Sequence, residues 1–396
     1  MGFFEKLGVR RVINAAGPLT RLGGHRVSPD VIAAMADAAG SNVHMNELQA
    51  RAGAVIAEIT GAEAGYVVSG AAAGLTLSAA ACMARLNPAA MDQLPNTTGL
   101  KHEVIVQRGH RNAYDHGLRA AGITFIEVGY LGYPGAGGTY GWQLESAITE
   151  NTVAIACPIQ DTPGTLSLPE VAAIAHRHEL PVIVDAAAAL PPRSNLRRFI
   201  AEGADLVTFS GGKAIGGPQA SGVLAGRANL IASVALQHQD MDVRLPTWAL
   251  RHQQAEGILQ GIPHQGLGRG MKVGREEIAG LITALQHYAA GDDTADAARW
   301  DTMLNGITEQ LPEVAGLTVR RPEMSNRPVP LLWIELDPER LGVTAYDVVN
   351  ALLQGEPAVA VAESRAEFNT LIINPMVLTE SEAEVVGQRL RAVFTP

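Results

Sequence analysis

The segment Asp205-Leu-Val-Thr-Phe-Ser-Gly-Gly-Lys213-Ala-Ile-Gly-Gly-Pro-Gln-Ala-Ser-Gly222 sets one lysine in a loop that is otherwise small and uncharged. An apolar strand ends at Ser210, and a glycine pair then delivers Lys213 to its carboxyl end, where ligands collect in open α/β sheets. Desolvation there makes an amine nucleophilic enough to form an imine with a carbonyl. The plainer reading is a lysine that snorkels out of a surface turn, and this segment alone leaves the two in balance. Asp185 closes the apolar run Leu180-Pro-Val-Ile-Val-Asp185, 28 positions before Lys213, a separation of one helix and one strand that sets both at the same sheet edge. A carboxylate ending such a strand needs a cation or donors, and a protonated pyridine nitrogen would serve; the alternative is a cap on the helix after Ala186. The third piece, Val67-Val-Ser69-Gly70-Ala71-Ala72-Ala73-Gly74, is a strand running into a helix through small residues, whose exposed N–H groups and dipole suit a phosphate. Such junctions are common in α/β proteins. No G-x-G-x-x-G follows a strand, and Val207 stands where a P-loop needs its first glycine. A phosphate cup, a pyridinium partner and an imine-forming amine are together what pyridoxal phosphate requires of a protein.

These residues need a sheet to align them, and the chain supplies its pattern. Short β-branched runs alternate with loops and Ala/Leu-rich stretches from about residue 60, the rhythm of a mainly parallel sheet covered by helices on both faces. Seven strands are expected at Tyr66–Val68, Val104–Gln107, Thr124–Val128, Val153–Cys157, Val182–Asp185, Leu206–Ser210 and Gly222–Ala225. Helices are expected at Gly70–Leu86, Ala113–Ala121, Trp142–Thr149, Leu168–Glu179 and Asn195–Glu202, the fourth opening on the capping-box spacing Ser167 to Glu170 with Pro169 inside the first turn. After Gln260 a Gly-rich passage leads into an amphipathic run, Glu276 to Ala290, and then into strands at Leu317–Arg320, Leu331–Glu335, Ala358–Ala362 and Leu371–Ile373, alternating with helices. The expected division is a segment 1–45 resting on the small domain or a partner subunit, a large cofactor-binding domain over 46–260, and a small α+β domain over 261–396.

Length and composition agree with a globular two-domain enzyme: 396 residues, 47% apolar and 18% charged, with a net charge of −10. The basic pairs are isolated, so nothing builds the positive stripe that nucleic acid or an anionic membrane surface requires. Cys82 and Cys157 lie too far apart in sequence for a C-x-x-C motif, and the N-terminus lacks the pattern of a signal peptide, which together fit a reducing cytoplasm. The uncharged stretch Ala64–Ala84 is dominated by Ala, Gly and Ser and reads as a buried strand, turn and helix rather than a membrane span. No H-E-x-x-H and no G-x-S-x-G occurs, and His176 and His178 would leave a helix on different faces, so neither a metal site nor a hydrolase elbow is expected.

The order of longer motifs adds a resemblance. Val12-Ile-Asn-Ala-Ala-Gly17, Glu47-Leu-Gln-Ala-Arg-Ala-Gly53, Thr60-Gly-Ala-Glu-Ala64, Ser210-Gly-Gly-Lys213 and Gly217-Pro-Gln219 resemble the fold-type-I pyridoxal-phosphate enzymes, and within them the bacterial selenocysteine synthase-like group, over nearly the whole chain. The resemblance implies that Lys213 carries the cofactor covalently, that Asp185 contacts its ring nitrogen, and that Ser69, Gly70, Ala71 and Ala72 with Ser210 receive its phosphate. It implies a ring-stacking and catalytic role for His110 in Gln107-Arg-Gly-His110, a position for which His116 competes and which a satisfied surface histidine would also fit. Asp161 and Thr162 are implied to contact the cofactor hydroxyl. It also implies a homodimer or an assembly of dimers and a small amino-acid-like substrate. The expected reaction is an α,β-elimination giving ammonia and a 2-oxo acid from a hydroxylated amino acid or amino-sugar acid, with or without a phosphate. The alternatives are a racemase using His110 as its second acid/base, a selenium transferase-like enzyme, and a catalytically silent binding module. A tRNA substrate is not expected, because the family motif starts at Val12 and leaves no room for the transferase's additional N-terminal domain. Arg269, Lys272, Arg275 and Arg365 are available for an acidic substrate group, and sequence does not say which of them points inward.

Overall fold

The computed structural model describes residues 2–131, 138–160, 162–238, 242–323 and 328–395. Its strands, in chain order, are β1 (Val12–Ala15), β2 (Ala64–Val68), β3 (Glu103–Gln107), β4 (Thr124–Val128), β5 (Thr152–Pro158), β6 (Val182–Asp185), β7 (Leu206–Ser210), β8 (Gly222–Gly226), β9 (Leu317–Arg320), β10 (Leu332–Leu336), β11 (Ala358–Val361) and β12 (Thr370–Ile373). The chain divides into two units, residues 27–289 and residues 1–26 with 290–396.

In the larger unit β2 to β8 form one sheet in the order β2-β8-β7-β6-β5-β3-β4. Only β8 runs against its neighbours, being antiparallel to both β2 and β7, so the other six strands share one direction. Every residue of β5 is buried because both faces of the sheet are covered. Ile105, Ile155, Val182, Val184 and Val207 belong to one core with the helices Leu168–Arg177, Asn195–Ala201 and Arg275–Ala289. Val104, Ala154, Ala156, Ile183 and Leu206 face the opposite core with the helices Ala71–Ala84 and Ala228–His238. Alternate residues of single strands thus feed different cores, as a two-residue side-chain period demands. The cap expected at Ser167 forms: its N–H donates to Glu170 Oε2 at 2.8 Å and its hydroxyl donates to the same oxygen at 2.6 Å.

β2 is an edge strand, and the helix Met45–Thr60 lies beside it. The buried Gln49 amide donates to Val67 O at 3.0 Å and accepts from Val67 N at 3.1 Å, filling the ladder position that a further strand would occupy.

The division differs from the one expected at residues 45/46 and 260/261. The helix Pro29–Ala39 belongs to the larger unit because it packs on the helix Arg275–Ala289: a Cβ added at Gly280 would lie 2.7 Å from Met35, and Val31, Ile278 and Leu281 share one core. Arg275 Nε and Nη2 donate to Ala38 O and Ala39 O at 2.8 and 3.0 Å, closing the C-terminus of Pro29–Ala39. The change of texture after Gln260 therefore marks a loop inside the larger unit. The smaller unit is assembled from both chain ends. β1 pairs in parallel with β11, a second sheet runs β12-β10-β9 with antiparallel pairing, and the helices Asp293–Gln310, Ala345–Gln354 and Glu380–Phe394 share its core. Among the described residues no helix is long and apolar enough to cross a membrane.

Candidate active site

Because β2, β7, β6, β5 and β3 are parallel, their carboxyl ends lie along one edge, and the residues singled out in the sequence follow these ends: Ser69 after β2, Lys213 after β7, Asp185 at the end of β6, Thr162 after β5 and His110 after β3. Asp185 and Thr208 are partners across β6 and β7, five residues before Lys213. The Lys213 loop is folded on itself, with Gly211 N donating to Ser221 O at 2.9 Å, Gly217 N to Gly211 O at 2.8 Å and Gly216 N to Lys213 O at 3.0 Å. Gly212 has no room for a side chain, since an added Cβ would come within 2.8 Å of Gln219 Cα. Lys213 is half-buried in this tight loop.

Burial pushes the Asp185 carboxyl up from the ordinary aspartate range; the Ala187 N–H and the nearby Lys213 charge pull it back, and Asp115 adds to the rise. Ala187 N reaches Asp185 Oδ1 at 3.0 Å, so part of the cap reading of Asp185 is realised. One N–H and a neighbouring ammonium do not offset the desolvation of this carboxylate, and a cation at its outer face would.

The turn Ser69-Gly70 enters the helix Ala71–Ala84. Gly70 has φ +142 and ψ 163, a conformation that side chains disfavour, and no side chain caps the helix. The helix-closing bond Gly74 N to Gly70 O is 3.0 Å, so the N–H groups of Ala71, Ala72 and Ala73 precede the first turn's acceptors and point outward. Space above Gly70 is open, with nothing within 4 Å of an added Cβ. Gly222 allows the turn to sit this close to β8, because its own Cβ would fall 2.8 Å from Gly70 C and 3.0 Å from Ala71 N. Replacing Gly222 with Ala should therefore displace the turn, at a cost of about 1–3 kcal/mol for overpacking. Equilibrium titration with cofactor should show weaker binding than wild type; unchanged affinity would mean that this turn does not hold the phosphate.

His110 is 3% exposed, and its Nδ1 has no hydrogen-bond partner. Burial lowers its pKa and favours the neutral ring. His116, by contrast, is exposed at the start of a short helix. Thr162 is engaged elsewhere: its hydroxyl donates to Gly109 O at 3.3 Å, tying the loop after β5 to the turn that carries His110. Asp161 lies outside the described residues. The structure adds residues that the sequence reading passed over. Gln160 Nε2 donates to His110 O at 2.9 Å, and the buried Gln107 bonds both N and O of Leu166, at 2.6 and 3.0 Å. Arg111 pairs with the buried Asp115 and with Glu127, and its guanidinium lies 4.7 Å from the Phe125 ring centroid. A polar Gln107 ending the apolar strand Val104-Ile-Val-Gln107 was a readable signal of the kind used for Asp185.

These residues fit pyridoxal phosphate: an uncapped helix N-terminus under an open glycine turn for the phosphate, a half-buried strand-end carboxylate whose pKa desolvation raises, and a buried imidazole nitrogen with no partner. The comparisons with known proteins agree. A family model described as SelA, L-seryl-tRNA selenium transferase, matches residues 12–247. A D-glucosaminate-6-phosphate ammonia lyase of Salmonella typhimurium (strain 14028s / SGSC 2262) is 31% identical over 398 residues, covering 98% of this chain and 97% of its own. A 5'-C-glycyluridine monooxygenase-decarboxylase of Streptomyces sp is 31% identical over 401 residues, covering 99% of this chain and 92% of its own. The solved structure of a D-glucosaminate-6-phosphate ammonia-lyase matches with a TM-score of 0.81 at 30% identity, covering 99% of this chain and 98% of its own. Fold and site together define a fold-type-I pyridoxal-phosphate enzyme. Within that class the chain belongs to the SelA, L-seryl-tRNA selenium transferase, family.

Proposed function

We propose that this enzyme is a carbon-nitrogen lyase that eliminates across Cα and Cβ of a hydroxylated amino acid or amino-sugar acid, releasing ammonia and a 2-oxo acid. The reaction type rests on the likeness to an ammonia lyase over almost the full length of both chains. Bound at the sheet edge, pyridoxal phosphate supplies an electron sink that acidifies the Cα–H bond of the substrate. The chain's own residues do the rest. The N–H groups of Ala71 to Ala73, with Ser69 and Ser210, hold the phosphate. Asp185 accepts from the protonated ring nitrogen, and that cation offsets the cost of its burial. His110 would face the bound ring, and Lys213 Nζ, once free of the cofactor, would serve as the base that takes the Cα proton. A β-hydroxyl leaves as water, and hydrolysis of the C–N bond completes the balance of one substrate to one 2-oxo acid and one ammonia.

Incubating the holoenzyme with D- and L-β-hydroxy amino acids and 2-amino aldonic acids should give equimolar ammonia and 2-oxo acid from at least one of them. Solvent-deuterium exchange at Cα with inversion and no ammonia would replace the lyase with the racemase. Oxygen-dependent loss of the carboxyl group would place the chain with its monooxygenase-decarboxylase relative. We also propose a homodimer, supported by the exposed apolar residues Phe3, Phe4, Leu7 and Val9 near the N-terminus. Sedimentation should give at least twice the 41.6 kDa chain mass, and an active monomer would refute it.

A further inference from the structure

Two peptide planes flank the Cα of His110, one carrying Gly109 O and the other His110 O, and side chains from the loop after β5 hold both. Gln160 Nε2 donates to His110 O at 2.9 Å, and the Thr162 hydroxyl donates to Gly109 O at 3.3 Å. Asn112 Nδ2 adds a second bond to His110 O at 3.2 Å. Holding both planes fixes φ and ψ of His110, and with them the direction in which its Cβ leaves the chain. Only the side-chain torsions then remain. The buried Nδ1 has no hydrogen-bond partner among the described residues, so the ring is not aimed by a bond at that nitrogen.

The two segments are tied along their length. At the far end the buried Gln107 side chain bonds both N and O of Leu166. Between the ties Gly109 meets the loop without a side chain: an added Cβ would lie 3.0 Å from the Thr162 and Thr165 methyls, so a larger residue would press the segments apart. Thr165 Oγ1 donates to Thr162 O at 2.8 Å and turns the loop back on itself. The near end is anchored to the other half of the site, where Ile159 N donates to Asp185 O at 2.9 Å. Ile159 and Gln160 are consecutive, so one peptide link joins the backbone of the strand-end carboxylate to the backbone of the imidazole. A flat ring met by Asp185 at its edge and by His110 at its face needs those two at a fixed separation.

We propose that Gln160 and Thr162 are positioning residues: through the carbonyls on either side of the His110 Cα they set the height and tilt of its imidazole relative to Asp185. The proposal rests on the reading of His110 as the residue facing the cofactor ring, and the experiment separates the two. Visible circular dichroism of the holoenzyme reports the surroundings of the bound ring without turnover. Gln160→Met and Thr162→Val keep side-chain size and remove the donor, and Gln160 is exposed, so its replacement leaves the core untouched. Each should cut the amplitude of the cofactor band about twofold or more and kcat roughly fivefold or more, with KM within about twofold of wild type, since a misplacement of about 1 Å costs up to roughly 10²-fold. His110→Ala should cut both further. Adding Gln160→Met or Thr162→Val to His110→Ala should then change neither, because no imidazole is left to position. Wild-type band and kcat in both single variants would overturn the proposal and leave the reading of His110 standing. A loss that persists undiminished without His110, as a direct contact with the cofactor would give, would do the same. A wild-type band in His110→Ala would remove the reading of His110 at the ring, and the proposal with it.

Discussion

Lys213→Ala should abolish turnover. Losing a positioned base alone costs roughly 10²–10⁴-fold, and this substitution also removes the amine that attaches the cofactor. The tight loop from Gly211 to Ser221 keeps the backbone hydrogen bonds Gly211 N to Ser221 O, Gly217 N to Gly211 O and Gly216 N to Lys213 O in the variant, since none of these involves a side chain. Borohydride reduction of the wild-type holoenzyme, followed by peptide mapping, should put the label on Lys213, and the variant should take no label. Label on another lysine, or turnover by the variant near the wild-type rate, would remove Lys213 from the chemistry.

Asp185→Asn is the more discriminating change, because an amide oxygen still accepts from Ala187 N while the negative charge is gone. If Asp185 served only as a helix cap, the variant would behave as wild type. If it keeps the ring nitrogen protonated, removing one partner of a desolvated ion pair costs about 3–5 kcal/mol, which corresponds to about 10²–10⁴-fold in kcat/KM. The sign for stability is opposite in the cofactor-free protein. There the folded-state pKa of Asp185 is raised, so its burial destabilises the fold once pH rises above the unfolded aspartate value, and Asn at this position should leave the apoprotein at neutral pH as stable as wild type or more so. Wild-type kcat/KM in the variant would mean that the carboxylate acts only as a structural cap, which the Asn amide oxygen replaces.

The larger sheet was legible because most of its strands are apolar runs bounded by polar or glycine residues, a pattern that burial on both faces imposes locally. Val182-Ile-Val-Asp185 and Leu206-Val-Thr-Phe-Ser210 were readable to the residue for this reason. The division into units was not, because β1 pairs with β11 more than 340 positions away, and nothing near Val12 announces a partner at Ala358. The helix Pro29–Ala39 escaped notice for a related reason: its many alanines give a weak apolar stripe, and only contact with Arg275–Ala289 makes one face interior. Within the candidate site, Lys213 and Asp185 stood out as lone charged residues at the ends of apolar strands. Gly222 did not, because its meaning depends on the approach of Gly70 from a turn 152 positions earlier.

Gln49 bears on how the molecule behaves in a crowded solution. An edge strand with open N–H and C=O groups is a template on which another chain can add a strand, and open sheets carry that hazard wherever an edge is left bare. At the β2 edge, one glutamine amide occupies both bonding groups of Val67, so an incoming strand would have to displace a buried side chain before its ladder could form. The helix Met45–Thr60 thereby works as a guard against sheet-to-sheet aggregation, and its protection comes down to one side chain whose length matches the gap between helix and strand.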